Sequence, residues 1–342
     1  MKTLKYKFLI LLAILFSMNV KAVRLSKKVY KNFPIASVQK LQLSNKYGNI
    51  SIENSRTDSV IVSADIWVEG NSDKARRILN SINVTVNQNG NTVEAATNFD
   101  NMNNWNTEFS IDYHIEIPAD RELAVVQKYG TVNMKDLTGK GSFEIKYGEL
   151  NGQKLISPDL SLDVAYSKIN LEEVKDLSLV LHYSKLKLEK GNNLKIEARY
   201  SGVNIPECNQ LDIDSKYDNI SIGNIVSLTC SAMYTGCTID KLSKKLTLVN
   251  GYGGFSVKQI TAGFESITIE NKYAGIKLGI EKDAAYQLTG TARYSSINHP
   301  EGKLNKIREN ANYKVSGTIG NTANPGSTVR IETSYGVVNL IP

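Results

Sequence analysis

The chain has 342 residues, three cysteines, 22% charged residues and a formal net charge of +7. Three cysteines cannot staple a chain this long, so an apolar core must hold it together. Lys2, Lys5, Lys7 and Lys21 fall in a leading segment without acids; setting them aside leaves about +3, which gives no case for nucleic acid.

Residues 1–22 have the pattern of a secretory signal peptide. Lysines precede an apolar run, Phe8 to Phe16, that is too short to span a bilayer. Val20-Lys21-Ala22 is an acceptable cleavage site, which would start the mature chain at Val23. No cysteine follows it, so a lipid anchor there is not expected, and no second long apolar run suggests a transmembrane segment in the mature chain. The expected location is outside the cytoplasm: periplasmic, secreted or at the cell surface.

Residues 23–120 read as a β-rich capping region with one repeat and a short helix. The repeat is Leu41 to Ile52 around Tyr47, followed by an alternating strand from Val60 to Val68. Ser72 to Asn80 reads as a helix with Ser72 as N-cap. Asn83 to Val86 and Thr92 to Ala96 form a hairpin around Gln88-Asn-Gly-Asn91. An Asn-rich loop runs from Asn98 to Thr107, and a strand from Phe109 to Ile117 stops at Pro118. Such a region would cover the open end of a stack.

Residues 121–342 are dominated by one repeat. A tyrosine returns every 17 to 21 residues, at Tyr129, Tyr147, Tyr166, Tyr183, Tyr200, Tyr217, Tyr234, Tyr252, Tyr273 and Tyr294, with outlying copies at Tyr47 and Tyr335. A fixed period of this length marks stacked coils. Six and four residues before the tyrosine stand apolar residues such as Leu177 and Leu179, with a polar residue such as Ser178 between them. Three and five residues after it stand pairs such as Leu186 and Leu188, and a further apolar residue recurs at the far corner, as at Val174 and Ile225. Alternation in both halves is strand spacing, not helix spacing. The expected fold is all-β: a parallel β-solenoid. The residue after the tyrosine is small or turn-prone, as at Gly148 and Ser184, which suits a tight corner where either φ is positive or a side chain would crowd the backbone. The period lapses from Pro300 to Gly326, around a strand-like Tyr313 to Ile319, and a coil from Val329 to Leu340 ends the chain.

The stretch Ile117-Pro-Ala-Asp-Arg-Glu-Leu-Ala, then Lys128-Tyr-Gly-Thr-Val and Asp136-Leu-Thr-Gly139, resembles bacterial putative-adhesin families of unknown function built as β-helices. Relatives include the head domain of putative auto-transporter adhesins. The resemblance covers most of residues 40–342 and implies a fold, but no catalytic residue.

The residues themselves offer little chemistry. His114, His182 and His299 share no motif, and no zinc-type spacing occurs. Glu144, Asp163, Glu197, Asp214 and Glu270 stand three residues before a tyrosine, and Lys146, Arg199, Lys216 and Lys272 one before. These rows read as a solvated outer face rather than an acid pair set apart in a cleft. No calcium-binding Gly-Gly-x-Gly-x-Asp turn is present. Cys208, Cys230 and Cys237 occupy inward slots and are expected as buried thiols, with a Cys230–Cys237 disulfide as the sharper alternative. By parity with the leucines, the tyrosines are expected to point inward and to seal the core edge; a strip for sugar rings or a peptide is the competing reading. No catalytic, cofactor-binding or metal residue is expected. The function expected is that of an exported non-enzymatic solenoid in adhesion or interaction, with envelope polysaccharide or another surface protein as partner. The alternative is a carbohydrate-active β-helix enzyme or carbohydrate-binding module.

Overall fold

The computed structural model describes residues 22–100 and 107–342. All but the last residue of the leader expected over residues 1–22, and most of the Asn-rich loop, fall outside them.

The chain winds into a parallel β-solenoid whose coils stack in register. Leu160, Leu177, Leu194, Leu211, Leu228 and Leu246 form one inward column, each the strand partner of the next. Leu179, Ile196, Ile213, Cys230 and Leu248 form the column beside it. The facing sheet supplies Ile169, Leu186, Val203, Ile220 and Cys237. All these side chains are buried, in one continuous core. The leucine spacing therefore sets the register, because a one-residue slip would turn each column into solvent.

The far corner is softer than the repeat implies. Strands such as Lys168–His182 and Lys185–Arg199 run through it unbroken, so it is a bend within a strand. Val174, Cys208, Ile225, Leu242 and Ile260 fill its inner side.

At the N-terminal end, Lys40–Lys46 and Ile50–Glu53 form a coil that pairs directly with Glu122–Lys128 and Thr131–Leu137. Strands antiparallel to one another extend both sheets beyond it, joined to the coil by parallel pairings. Val23–Pro34, Ser59–Gly70 and Glu108–Glu116 extend one, and Ile82–Asn89 with Thr92–Phe99 extends the other. The helix spans Ser72–Ser81 and buries Ala75, Ile78 and Leu79. Its N-cap is Asn71, not Ser72: the Asn71 side chain accepts from the Asp73 amide at 3.1 Å.

The C-terminal end departs from chain order. The last coil does not lie last. Ser327–Ser334 inserts between Ser266–Lys272 and Tyr286–Arg293, parallel to both. Val338–Ile341 likewise pairs with Ile276–Ile280 and Ile297–Asn298. The lapse between Pro300 and Gly326 makes this possible. It holds an antiparallel hairpin, Gly302–Glu309 and Asn312–Ile319, that pairs outside Tyr286–Arg293 and returns the chain.

Candidate interaction surface

All twelve repeat tyrosines have positive φ, between 50° and 65°. This decides one expectation and corrects another. The residue after the tyrosine is not generally the one in the left-handed region, which the tyrosine occupies; crowding is what keeps it small, since a Cβ at Gly148 or Gly253 would clash with a backbone oxygen of the adjacent coil. And the tyrosine does not point inward. A left-handed residue breaks strand alternation, so the inward parity inherited from the leucines reverses at that residue. Eleven of the twelve tyrosines are 44–56% exposed.

The rings form one continuous stack. Successive centroids lie 4.8–5.2 Å apart with interplanar angles of 2–13°. The stack follows space rather than sequence, because Tyr335 lies between Tyr273 and Tyr294. At the other end, Tyr47 packs edge-on against Phe99 and Phe109. A left-handed L-residue costs roughly 1–2 kcal/mol. Stacking on two neighbours, at about 0.5–1.5 kcal/mol per pair, offsets much of that. The backbone hydrogen-bond ladder also continues through the corner, as from the Tyr183 amide to the Arg199 carbonyl at 3.0 Å.

The core edge is sealed by the neighbouring residues, in two alternative ways. Where a hydroxyl or carboxylate follows the tyrosine, that side chain turns inward and bonds the corner backbone of an adjacent coil. The Ser167 amide donates to Ser184 Oγ at 2.9 Å, the Ser184 amide to Ser201 Oγ at 3.1 Å, and the Ser201 amide to Asp218 Oδ1 at 2.6 Å. The Asp218 amide in turn donates to Thr235 Oγ1 at 3.2 Å. Where glycine or alanine follows, the residue two before the tyrosine is polar instead, except at Gly148, where Ile145 is apolar and the Gly148 amide donates to Ser167 Oγ of the next coil at 3.0 Å. Asn250 Nδ2 donates to the Gly253 carbonyl at 2.9 Å, and Asn271 Nδ2 to the Ala274 carbonyl at 2.8 Å. Gln127 reaches the Gly48 carbonyl. Gly48 is itself at φ 138°, with no room for a Cβ beside the Ile111 backbone. Both arrangements satisfy backbone groups that burial would otherwise leave unpaired. Sequence reading missed this exchange, although aligning the two positions displays it.

Charged rows flank the ladder. Lys146 pairs with Glu144 at 2.8 Å, and Arg199 with Glu197 at 3.3 Å and Asp214 at 3.2 Å. The Lys146 contact holds the Glu144 carboxyl below its ordinary value. A hollow of about 620 Å³ lies beside the ladder, and Lys272, Arg293, Tyr313, Glu270 and Glu332 border it. Glu270 and Glu332 are register partners on adjacent parallel strands. They stand side by side in one exposed row, not opposed across a substrate as a glycosidase pair requires.

The structure scatters the histidines. His114 is exposed, 3.8 Å from Asp65. His182 is partly covered rather than freely solvated, and His299 is half-buried, with ring nitrogens 2.7 Å from the Pro300 carbonyl and 3.2 Å from the Tyr313 hydroxyl. Cys208, Cys230 and Cys237 are free and buried. Burial pushes the Cys208 and Cys230 thiols up to about 12. Among the described residues, no group of three or more His, Cys, Asp and Glu could hold a metal ion, and no helix is long and apolar enough to cross a membrane.

A family model described as Toastrack DUF4097 matches residues 38–340. No curated protein matches the chain. Solved structures aligned with it include a putative cell adhesion protein from Clostridium sporogenes, at 13% identity and TM-score 0.19, covering 92% of this chain and 99% of that one. A putative adhesin from Parabacteroides distasonis aligns at 11% identity and TM-score 0.30, covering 92% and 97%. A putative lipid binding protein from the same species aligns at 10% and 0.23, again covering 92% and 97%. At such TM-scores these structures decide nothing about this chain.

Proposed function

Since this chain belongs to the Toastrack DUF4097 family, we propose that it is an exported, non-enzymatic β-solenoid that presents its tyrosine ladder as an interaction surface at the cell envelope. The ladder carries this reading. A bulky residue at positive φ is an outlier worth a functional hypothesis, and here the outlier recurs at twelve stacked positions. Buried aromatics would need no such explanation. Half-exposed ones add up to an apolar strip far longer than the isolated patches common on protein surfaces. The basic, apolar pattern of residues 1–22 supports export, and adhesin-like action fits an exported rod with one aromatic edge.

The test is protease treatment of intact cells, followed by detection of the chain, with an attachment assay on ladder variants. Loss of the chain from intact cells, and loss of attachment when Tyr183, Tyr200 and Tyr217 are replaced by Asn, are the expected results. A chain found only in the cytosolic fraction, or attachment indifferent to the ladder, would overturn the reading.

A further inference from the structure

The geometry of the ladder restricts what can cover it; the inference rests on the ladder being an interaction surface. Every inner ring has both faces covered by its neighbours, so a sugar ring has no open face to stack on. Ring edges and hydroxyls remain, repeating at the strand spacing. An extended peptide laid along the ladder rises about 3.3 Å per residue and loses register with the rungs within one or two steps. A partner that keeps contact at every rung must share the cross-strand repeat. A second copy of this chain does.

The area suffices. Eleven tyrosines are each about half exposed. At roughly 150–250 Å² per ring this comes to on the order of 1,000 Å², against about 800 Å² per partner in a stable interface.

The flanks select the arrangement. The residue before the tyrosine forms one flank and is often basic, as at Lys128, Lys146, Arg199, Lys216, Lys272 and Arg293. The residue two after it forms the other, and at those same rungs it is Thr131, Glu149, Gly202, Asn219, Gly275 and Ser296. A two-fold axis perpendicular to the ladder would set basic flank against basic flank. An axis along the ladder sets each flank against the other flank of the same rung in the second copy. Lys146 then faces Glu149. Where the second flank carries a lysine, at Lys168 and Lys185, the first carries Ala165 and His182. No rung opposes two permanent cations. The geometry points to a homodimer in which two copies meet ladder to ladder, about a two-fold axis parallel to the ladder.

Sedimentation equilibrium of the purified protein tests this, with two sets of variants. Y183N/Y200N/Y217N removes three rings at left-handed positions that asparagine tolerates. G202K/G275K and G202E/G275E add side chains beside the ladder, at glycines where a Cβ would meet no backbone atom and φ is not left-handed. The first pair sets lysine against Arg199 and Lys272; the second sets glutamate there. The wild type is expected as a dimer at micromolar concentration. The asparagine variant should dissociate at least about tenfold more readily. The lysine variant should dissociate at least about threefold more readily than the glutamate variant, with the gap shrinking at high salt. If the asparagine variant fails to fold, the lysine and glutamate variants decide alone. A wild type monomeric at about 100 μM, a dimer indifferent to the ladder variants, or equal lysine and glutamate variants would overturn the proposal. A monomeric protein whose ladder variants still lose cell attachment would overturn the dimer and leave the interaction reading standing. Ladder variants that change neither would end both.

Discussion

Tyr183 and Tyr200 hold their rings 4.9 Å apart and 2° from parallel, on backbones with φ of 50° and 54°. Stack and backbone depend on each other: the left-handed corner turns the ring out of the core, and the neighbouring ring gives it a face to pack on. Two substitutions separate these contributions. Tyr183→Asn loses the ring but suits the backbone. Tyr183→Val loses the ring and places a β-branched residue where one is rarely tolerated. Valine is the better strand former, so strand propensity alone would favour it. Thermal or urea unfolding should find Tyr183→Val the less stable, by about 1–2 kcal/mol.

The core columns predict a larger cost. Leu179 is the register partner of Ile196, and both are buried. Leu179→Ala should lose about 2–5 kcal/mol in urea unfolding. A loss under about 1 kcal/mol would be inconsistent with a packed inner column.

The corner hydroxyls predict a pH effect. Asp218 occupies a slot where neighbouring coils carry Ser201 and Thr235, and it accepts from Ser215 Oγ at 2.6 Å and from the Lys216 amide at 2.8 Å. Burial raises its carboxyl above the ordinary value, against those hydrogen bonds. The folded chain therefore holds this proton more tightly than the unfolded chain. Its contribution to stability is greatest at low pH and declines as pH rises through the raised value. Asp218→Ser replaces the carboxylate with the hydroxyl used by neighbouring coils. The melting temperature of this variant relative to wild type should rise between about pH 4 and pH 7. A constant difference across that range would contradict a buried, raised carboxyl.

The thiols should be inert in the folded protein. Cys237 lies beside Cys230 in the core, and burial raises its thiol well above the ordinary value. A thiol reagent should titrate almost none of the three in the folded protein and all three after denaturation. A linked Cys230–Cys237 peptide under non-reducing conditions would contradict the free pair.

Much of this architecture can be read from the sequence, because strand alternation is local and repeats many times. The columns through Leu177 and Leu179 are visible as spacing, and so are the far-corner residues Val174 and Ile225. The direction of the tyrosines is not visible by the same rule. Parity assumes extended backbone on both sides, and one left-handed residue reverses it. The small residues after the tyrosines are open to two readings, positive φ or a crowded backbone, and only the second holds at Gly148 and Gly253. Ser184 and Ser201 are small because they turn inward to bond the corner backbone. The placement of the Tyr335 coil between those of Tyr273 and Tyr294 was also hidden, since alternation fixes which face a residue takes but not which strand it joins.

The most direct test of the outward ladder is tyrosine nitration of the folded protein, mapped by mass spectrometry. Tyr113 and Tyr286 are each 1% exposed, whereas Tyr183 and Tyr200 are 52% and 51% exposed. At limiting reagent, and at a concentration where the protein is shown to be monomeric, Tyr183, Tyr200 and their stacked neighbours should be modified while Tyr113 and Tyr286 stay protected until the protein unfolds. Protection of Tyr183 and Tyr200 to the same degree as Tyr286, in protein shown to be monomeric under the conditions used, would place the rings in the core and contradict the account.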